Sequence, residues 1–133
     1  MNQINQPKGH DGAGIGAGKM AVKMIAVDMD GTFLDDNKQY NRSRFLACYQ
    51  QLTARDIKFV VASGNQYYQL KSFFPEIASD IAFVAENGAW IIDRDEELFC
   101  GAFERRDVDA VIDTLQNGDY PGLRYLLCGR ESA

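Results

Sequence analysis

Apolar residues in this chain fall into two patterns, short continuous runs and helically spaced stripes, and both begin only after Lys23. Met24-Ile25-Ala26-Val27 is a short apolar run ending at Asp28, as expected for a strand buried on both faces. Behind Asn41, a good N-cap, Phe45, Cys48, Tyr49 and Leu52 recur at helical spacing, and Arg55-Asp56 closes that helix. Ile57–Ala62 is a second β-rich run, ended by Ser63-Gly64. Gln66–Phe74 predicts a short helix with Tyr67, Leu70 and Phe74 on one side, stopped by Pro75. Ile81–Ala85 is a third apolar strand, ended by Glu86-Asn87-Gly88.

Strands alternating with helices over short connections predict an α/β fold with a right-handed parallel sheet. Ligands of such sheets collect at the carboxyl ends of the strands. Those ends fall at Asp28–Thr32, Ser63–Asn65 and Glu86–Gly88, which places all the chemically suggestive residues on one edge. After Gly88 the pattern changes. Ala89–Asp93 and Glu97–Gly101 flank Arg94-Asp95-Glu96 and predict a β-hairpin. Asp107 is the expected cap of a helix burying Val108, Val111, Ile112 and Leu115, and Asn117-Gly118 ends it. Leu123–Cys128 reads as one more apolar strand. The region after Phe103 is the expected start of a second α+β unit, too small to close a core of its own, so the chain reads as truncated.

Composition narrows the partners. The 133 residues suit one domain of ordinary size, and 46% hydrophobic with 25% charged residues is a globular composition. A net charge of −5 lacks the basic footprint that a phosphate backbone requires, which argues against nucleic acid. No apolar run approaches the roughly 20 residues of a membrane helix, so no membrane partner is expected. The odd number of cysteines (Cys48, Cys100 and Cys128), without a CxxC pair and with His10 as the sole histidine, fits neither a zinc site nor a disulfide framework. Free buried thiols in a reducing cytoplasm are expected. Residues 1–22 are polar and glycine-rich. Gly12–Gly18 and Lys19 resemble a nucleotide loop only superficially, because no strand precedes them. This leader reads as an extension outside the fold, with Met1, Met20 and Met24 all open as the natural start.

Asp28-Met29-Asp30-Gly31-Thr32 carries the chemistry. Carboxylates at i and i+2 after an apolar strand can both face the ligand crevice, where their repulsion calls for a cation. Magnesium, which prefers hard oxygen ligands, would relieve it. Gly31 permits a tight turn, and Thr32 can tie it with its hydroxyl. An ionised aspartate held beside a phosphoryl group is a competent nucleophile, and a second carboxylate can serve as general acid and then base. A solvated turn of Asp and Gly is the plain alternative for the motif taken alone. Ser63, with the backbone N–H groups of Gly64 and Asn65 ahead of a helix, forms a natural anion cradle one βαβ unit further on; alone, Ser63 reads as a helix cap. Taken together, these residues favour a phosphate site.

These motifs, with Val60–Asn65 and Val84–Ala89 (VAENGA), resemble the haloacid dehalogenase superfamily. Glu86–Ala89 and the following hairpin are similar to its Cof-type branch with a C2 cap, and Phe59–Pro75 resembles the YbiV-like bacterial sugar phosphatases. The resemblance covers Lys23 to the C-terminus. It implies a Rossmann-like core, incomplete here, over residues 23–102 and the beginning of a C2 cap over residues 103–133. It also implies a Mg2+-dependent phosphatase of small sugar phosphates working through an aspartyl-phosphate. In that role Asp28 would be nucleophile and metal ligand, and Asp30 general acid/base with its carbonyl also on the metal. Met29 would offer its N–H to phosphate, and Ser63 and Gly64 would bind phosphate oxygens. Asn65 stands where many relatives carry Arg, and Asn87 is either a substrate contact or a turn former.

The sequence departs from the family pattern in two ways. The family's later lysine and its Gly-Asp-x-x-Asn-Asp-like acidic loop are absent after Gly88, while Lys58 opens the second strand at its wrong end and Lys71 lies inside a helix. A catalytically silent chain that binds phosphate or magnesium weakly, or that needs a missing half, therefore stands as the alternative. A receiver domain is disfavoured, because its phosphorylated aspartate would follow the third strand, where Glu86-Asn87-Gly88 stands. The sequence leaves the oligomeric state and the particular sugar open.

Overall fold

The computed structural model describes residues 21–131; the glycine-rich leader lies mostly outside them. The elements in chain order are β1 (Met24–Val27), α1 (Arg42–Thr53), β2 (Lys58–Ala62), α2 (Tyr67–Ser72), β3 (Ala82–Ala85), β4 (Trp90–Asp93), β5 (Glu96–Cys100) and α3 (Arg105–Asn117). They form one five-stranded sheet in the order β1-β2-β3-β4-β5. β1, β2 and β3 run parallel, with Val27 beside Val61 and Ala62 beside Val84. β4 and β5 then join antiparallel. The α/β class is as expected, and the hairpin makes the Rossmann-like sheet a mixed one.

Local chemistry accounts for the boundaries. Asn41 caps α1, its side-chain oxygen accepting from Arg44 N–H at 2.9 Å. The helix closes in a Schellman motif: Asp56 adopts φ 56°, Ile57 N–H donates to Leu52 O, and Asp56 N–H donates to Thr53 O, both at 3.0 Å. Arg94 and Asp95 both take positive φ, the two-residue turn whose twist matches the β4–β5 hairpin.

The core lies on the sheet face carrying Phe59, Val61 and Phe83, beneath α1 and α2. Phe45 of α1 meets Phe59 with ring centroids 5.0 Å apart, and Tyr67 of α2 meets Phe83 edge-on at 5.4 Å. Phe33, Tyr40 and Phe74 complete this aromatic cluster.

Several expectations need correction. β1 is not buried on both faces; it is the sheet's edge, with Met24 56% exposed, because no strand or helix covers its outer side among the described residues. Glu104, not Asp107, is the cap position of α3, and Asp107 sits in the first turn. The apolar stripe of α3 is not fully buried: Val108, Ile112 and Leu115 are half-buried and Val111 is exposed, since among the described residues no element covers the stripe completely. Leu123–Cys128 forms no strand; its Leu126 and Leu127 are exposed, and an extended run without a pairing edge gains no ladder. All three cysteines are free as expected but exposed, because the core is filled by aromatic side chains instead. Among the described residues no helix is long and apolar enough to cross a membrane.

Candidate functional site

Parallel pairing brings the carboxyl ends of β1, β2 and β3 to one edge, so the loops Asp28–Thr32, Ser63–Asn65 and Glu86–Gly88 become neighbours. Hydrogen bonds stitch them together. Asn65 Nδ2 donates to Asp30 Oδ2 at 2.9 Å, joining the first loop to the second. Asn87 N–H donates to Ser63 O and Glu86 N–H to Asn65 O, both at 3.1 Å, joining the second to the third.

In the first loop, Met29 is fully buried while Asp28 and Asp30 on either side of it are exposed. The apolar side chain anchors the loop, and the acids are left exposed at the sheet edge. Gly31, at φ 71°, provides the left-handed residue that lets the chain turn back, and Leu34 N–H donates to Met29 O at 2.9 Å across the turn. Thr32 Oγ1 donates to Asp28 Oδ2 at 3.1 Å, tying the turn as its residue type suggested.

Ser63 is half-buried, and its Oγ accepts from Asn65 N–H at 3.2 Å. It is not the cap of α2, a position held by Gln66. The Asn65 N–H of the expected anion cradle is thus engaged by Ser63, and the Gly64 N–H belongs to the same turn. Gly64 also has a packing reason to be glycine: a Cβ there would come within 3.0 Å of Asn87 Oδ1. Asn87 itself holds φ 56°, so it is a turn former in this structure.

Lys38 was not anticipated. Its Nζ donates to Asp30 Oδ1 at 2.6 Å, from the loop between β1 and α1. The run Asp35-Asp36-Asn37 signals a turn, but nothing in its spacing says that the next side chain points back to Asp30. Lys58 and Lys71 are directed elsewhere, pairing with Asp93 and Asp95. Asp30 consequently carries a donor on each oxygen, and its carboxyl is held below the usual carboxylate range, first by the Lys38 hydrogen bond and then by that of Asn65. The ionised form suits a proton acceptor; proton donation requires this balance to change when an anionic ester enters.

The carboxylate and carbonyl oxygens of Asp28 and Asp30 are hard donors of the kind magnesium takes. Among the described residues no group of three or more His, Cys, Asp or Glu side chains is placed to hold a metal. The donors therefore fit part of a magnesium shell, the remainder falling to water or phosphate, as is usual for this ion. A cleft of about 180 Å³ at the opposite end of the sheet is lined by Lys58, Asp80, Asp93 and Arg94, and there both Lys58 and Arg94 pair with Asp93.

Residues 25–133 match the family described as haloacid dehalogenase-like hydrolase. The chain is 54% identical over 114 residues to the 5-amino-6-(5-phospho-D-ribitylamino)uracil phosphatase YbjI of Escherichia coli, covering 86% of this chain and 41% of that protein. It is 32% identical over 90 residues to phosphoglycolate phosphatase 1 of Saccharolobus solfataricus, covering 66% and 39%. A solved structure of a Streptococcus mutans protein superposes with a TM-score of 0.72 at 43% identity, over 77% of this chain and 38% of that one. The chain thus spans about two fifths of the length of these relatives.

Proposed function

The chain belongs to the haloacid dehalogenase-like hydrolases, and from that premise we propose that it carries the nucleophile end of a magnesium-dependent phosphatase of small sugar-type phosphate esters. Residues 23–102 form the N-terminal part of its core and residues 103–133 begin its cap. The carrying observation is the junction of the two loops, with Asn65 bonded to Asp30 across the ends of β1 and β2. It sets an acid pair and a Ser-Gly turn side by side at one edge of the sheet. Both curated relatives are named for small phosphorylated substrates, one of them a phosphoribityl compound.

In the proposed reaction an Asp28 oxygen attacks phosphorus as the bond from phosphorus to the substrate oxygen breaks, and Asp30 gives its proton to that oxygen. Water then attacks the aspartyl-phosphate and leaves its proton on Asp30; phosphate departs and the Asp28 carboxylate is restored. Ser63 and the N–H groups of Met29 and Gly64 hold phosphoryl oxygens. Magnesium, bound by the Asp28 carboxylate and the Asp30 carbonyl, would supply the positive charge that lets an anionic nucleophile approach an anionic ester.

Asp28→Asn in the whole protein is the decisive test, read as release of inorganic phosphate from a sugar phosphate. Turnover is expected to fall to background; activity that persists removes Asp28 as nucleophile. The partial donor set favours a companion reading in which the 133 residues alone bind more than they turn over. The isolated chain is expected to give little or no magnesium-dependent hydrolysis of an aryl phosphate, and brisk turnover would reject that reading.

A further inference from the structure

Lys38 reaches the site because its backbone is fixed. It sits at φ 58°, a conformation uncommon for a non-glycine residue, which persists where the surroundings over-determine it. Asp35 supplies that constraint: its Oδ1 accepts from Asn37 N–H and Gln39 N–H, both at 2.9 Å. Its N–H donates to Gln39 O and its carbonyl accepts from Lys38 N–H, again at 2.9 Å. Tyr40, just beyond, is locked as well, donating its hydroxyl to Phe73 O at 2.7 Å. From this anchored turn the ammonium holds one oxygen of Asp30, while Asn65, anchored on another loop, holds the second. Rotating the carboxyl group breaks both bonds.

Resting on the phosphatase reading above, we propose that Lys38 is a positioning residue: with Asn65 it fixes the Asp30 carboxyl in the orientation from which a proton passes to the leaving oxygen. It thereby governs how well esters of poorly acidic alcohols are cleaved. An alkoxide leaving a sugar-type ester needs that proton in the transition state, whereas a nitrophenolate leaves without it. Loosening the acid therefore slows the first ester and spares the second. A lysine that merely attracted phosphate would affect both alike, because both present the same phosphoryl group.

The test compares Lys38→Met with Lys58→Met in the whole protein, since the second removes the same charge at the far end of the sheet. For Lys38→Met, kcat on glycerol phosphate is expected to fall roughly tenfold or more, with KM changed less than about threefold and nitrophenyl phosphate turnover changed less than about twofold. Lys38→Arg should restore most of the loss, and Lys58→Met should show no such selectivity. Independently of activity, the Asn65 side-chain amide resonances should shift in Lys38→Met without metal or ester, because the carboxylate they share is released. Equal loss on both esters, a KM change with kcat intact, no change at all, or unmoved Asn65 resonances would each overturn the proposal. Should Lys38→Met fail to fold, Asn65→Ala carries the same selectivity expectation. Turnover surviving Asp28→Asn would instead sink the phosphatase reading itself, so the two failures are distinguishable.

Discussion

Asp95 stands on the hairpin turn, where Lys71 Nζ donates to its Oδ1 at 2.6 Å and the Tyr67 hydroxyl at 3.2 Å. Its carboxyl is held below the ordinary value of 3.8, first by the Lys71 hydrogen bond and next by that of Ser79. A depressed folded-state value means that the ionised form favours folding. The contribution is complete above the unfolded value and disappears as pH falls through the folded one. Lys71 mirrors this: Asp95 raises it, so its share is present below 10.5 and is lost as pH climbs through the raised value. Both side chains are partly exposed, which limits the pair to under about 1 kcal/mol. Asp95→Asn keeps a residue that tolerates the positive φ and removes only the charge. Urea denaturation should show a small stability gap from the parent at neutral pH that closes below pH 3.8; a gap that persists in acid would assign the effect to the turn instead.

At the scale of elements, the punctuation residues explain most of what was legible. Asn41, Asp56, Ser63-Gly64 and Arg94-Asp95 each mark a boundary by local hydrogen bonding or left-handed backbone, and the structure places boundaries there. Asn41→Ala should cost about 1 kcal/mol, through the unpaired Arg44 N–H, in a thermal or urea melt. Where the sequence misled, the missing ingredient was a partner. Leu123–Cys128 has the composition of a strand, but strand formation needs a neighbouring edge. The stripe on α3 has helical spacing, but spacing names the face to be covered and not what covers it. Pro75 bounds the second helix only loosely, because α2 already ends at Ser72.

For the molecule as a whole, α1 and α2 cover one sheet face and β1 is left as an edge. Met24 aligns with exposed Lys58, on the side away from Phe59. An uncovered apolar edge strand is a template for pairing with another chain, and lysine is a common way of blunting one. Met24→Lys should lower self-association of the 133-residue chain in light scattering without altering its melting temperature; unchanged scattering would place the contact elsewhere, for instance at exposed Leu126 and Leu127. The order of the elements, the α/β class and the gathering of Asp28, Asp30 and Ser63 on one edge were all set by the sequence, because burial periodicity and turn chemistry act over a few residues and right-handed connections do the rest. The two-donor grip of Lys38 and Asn65 on Asp30, and the exposure of the cysteines and α3, were decided only in three dimensions. A side chain's direction, or its cover, depends on residues distant in sequence, and no local pattern records them.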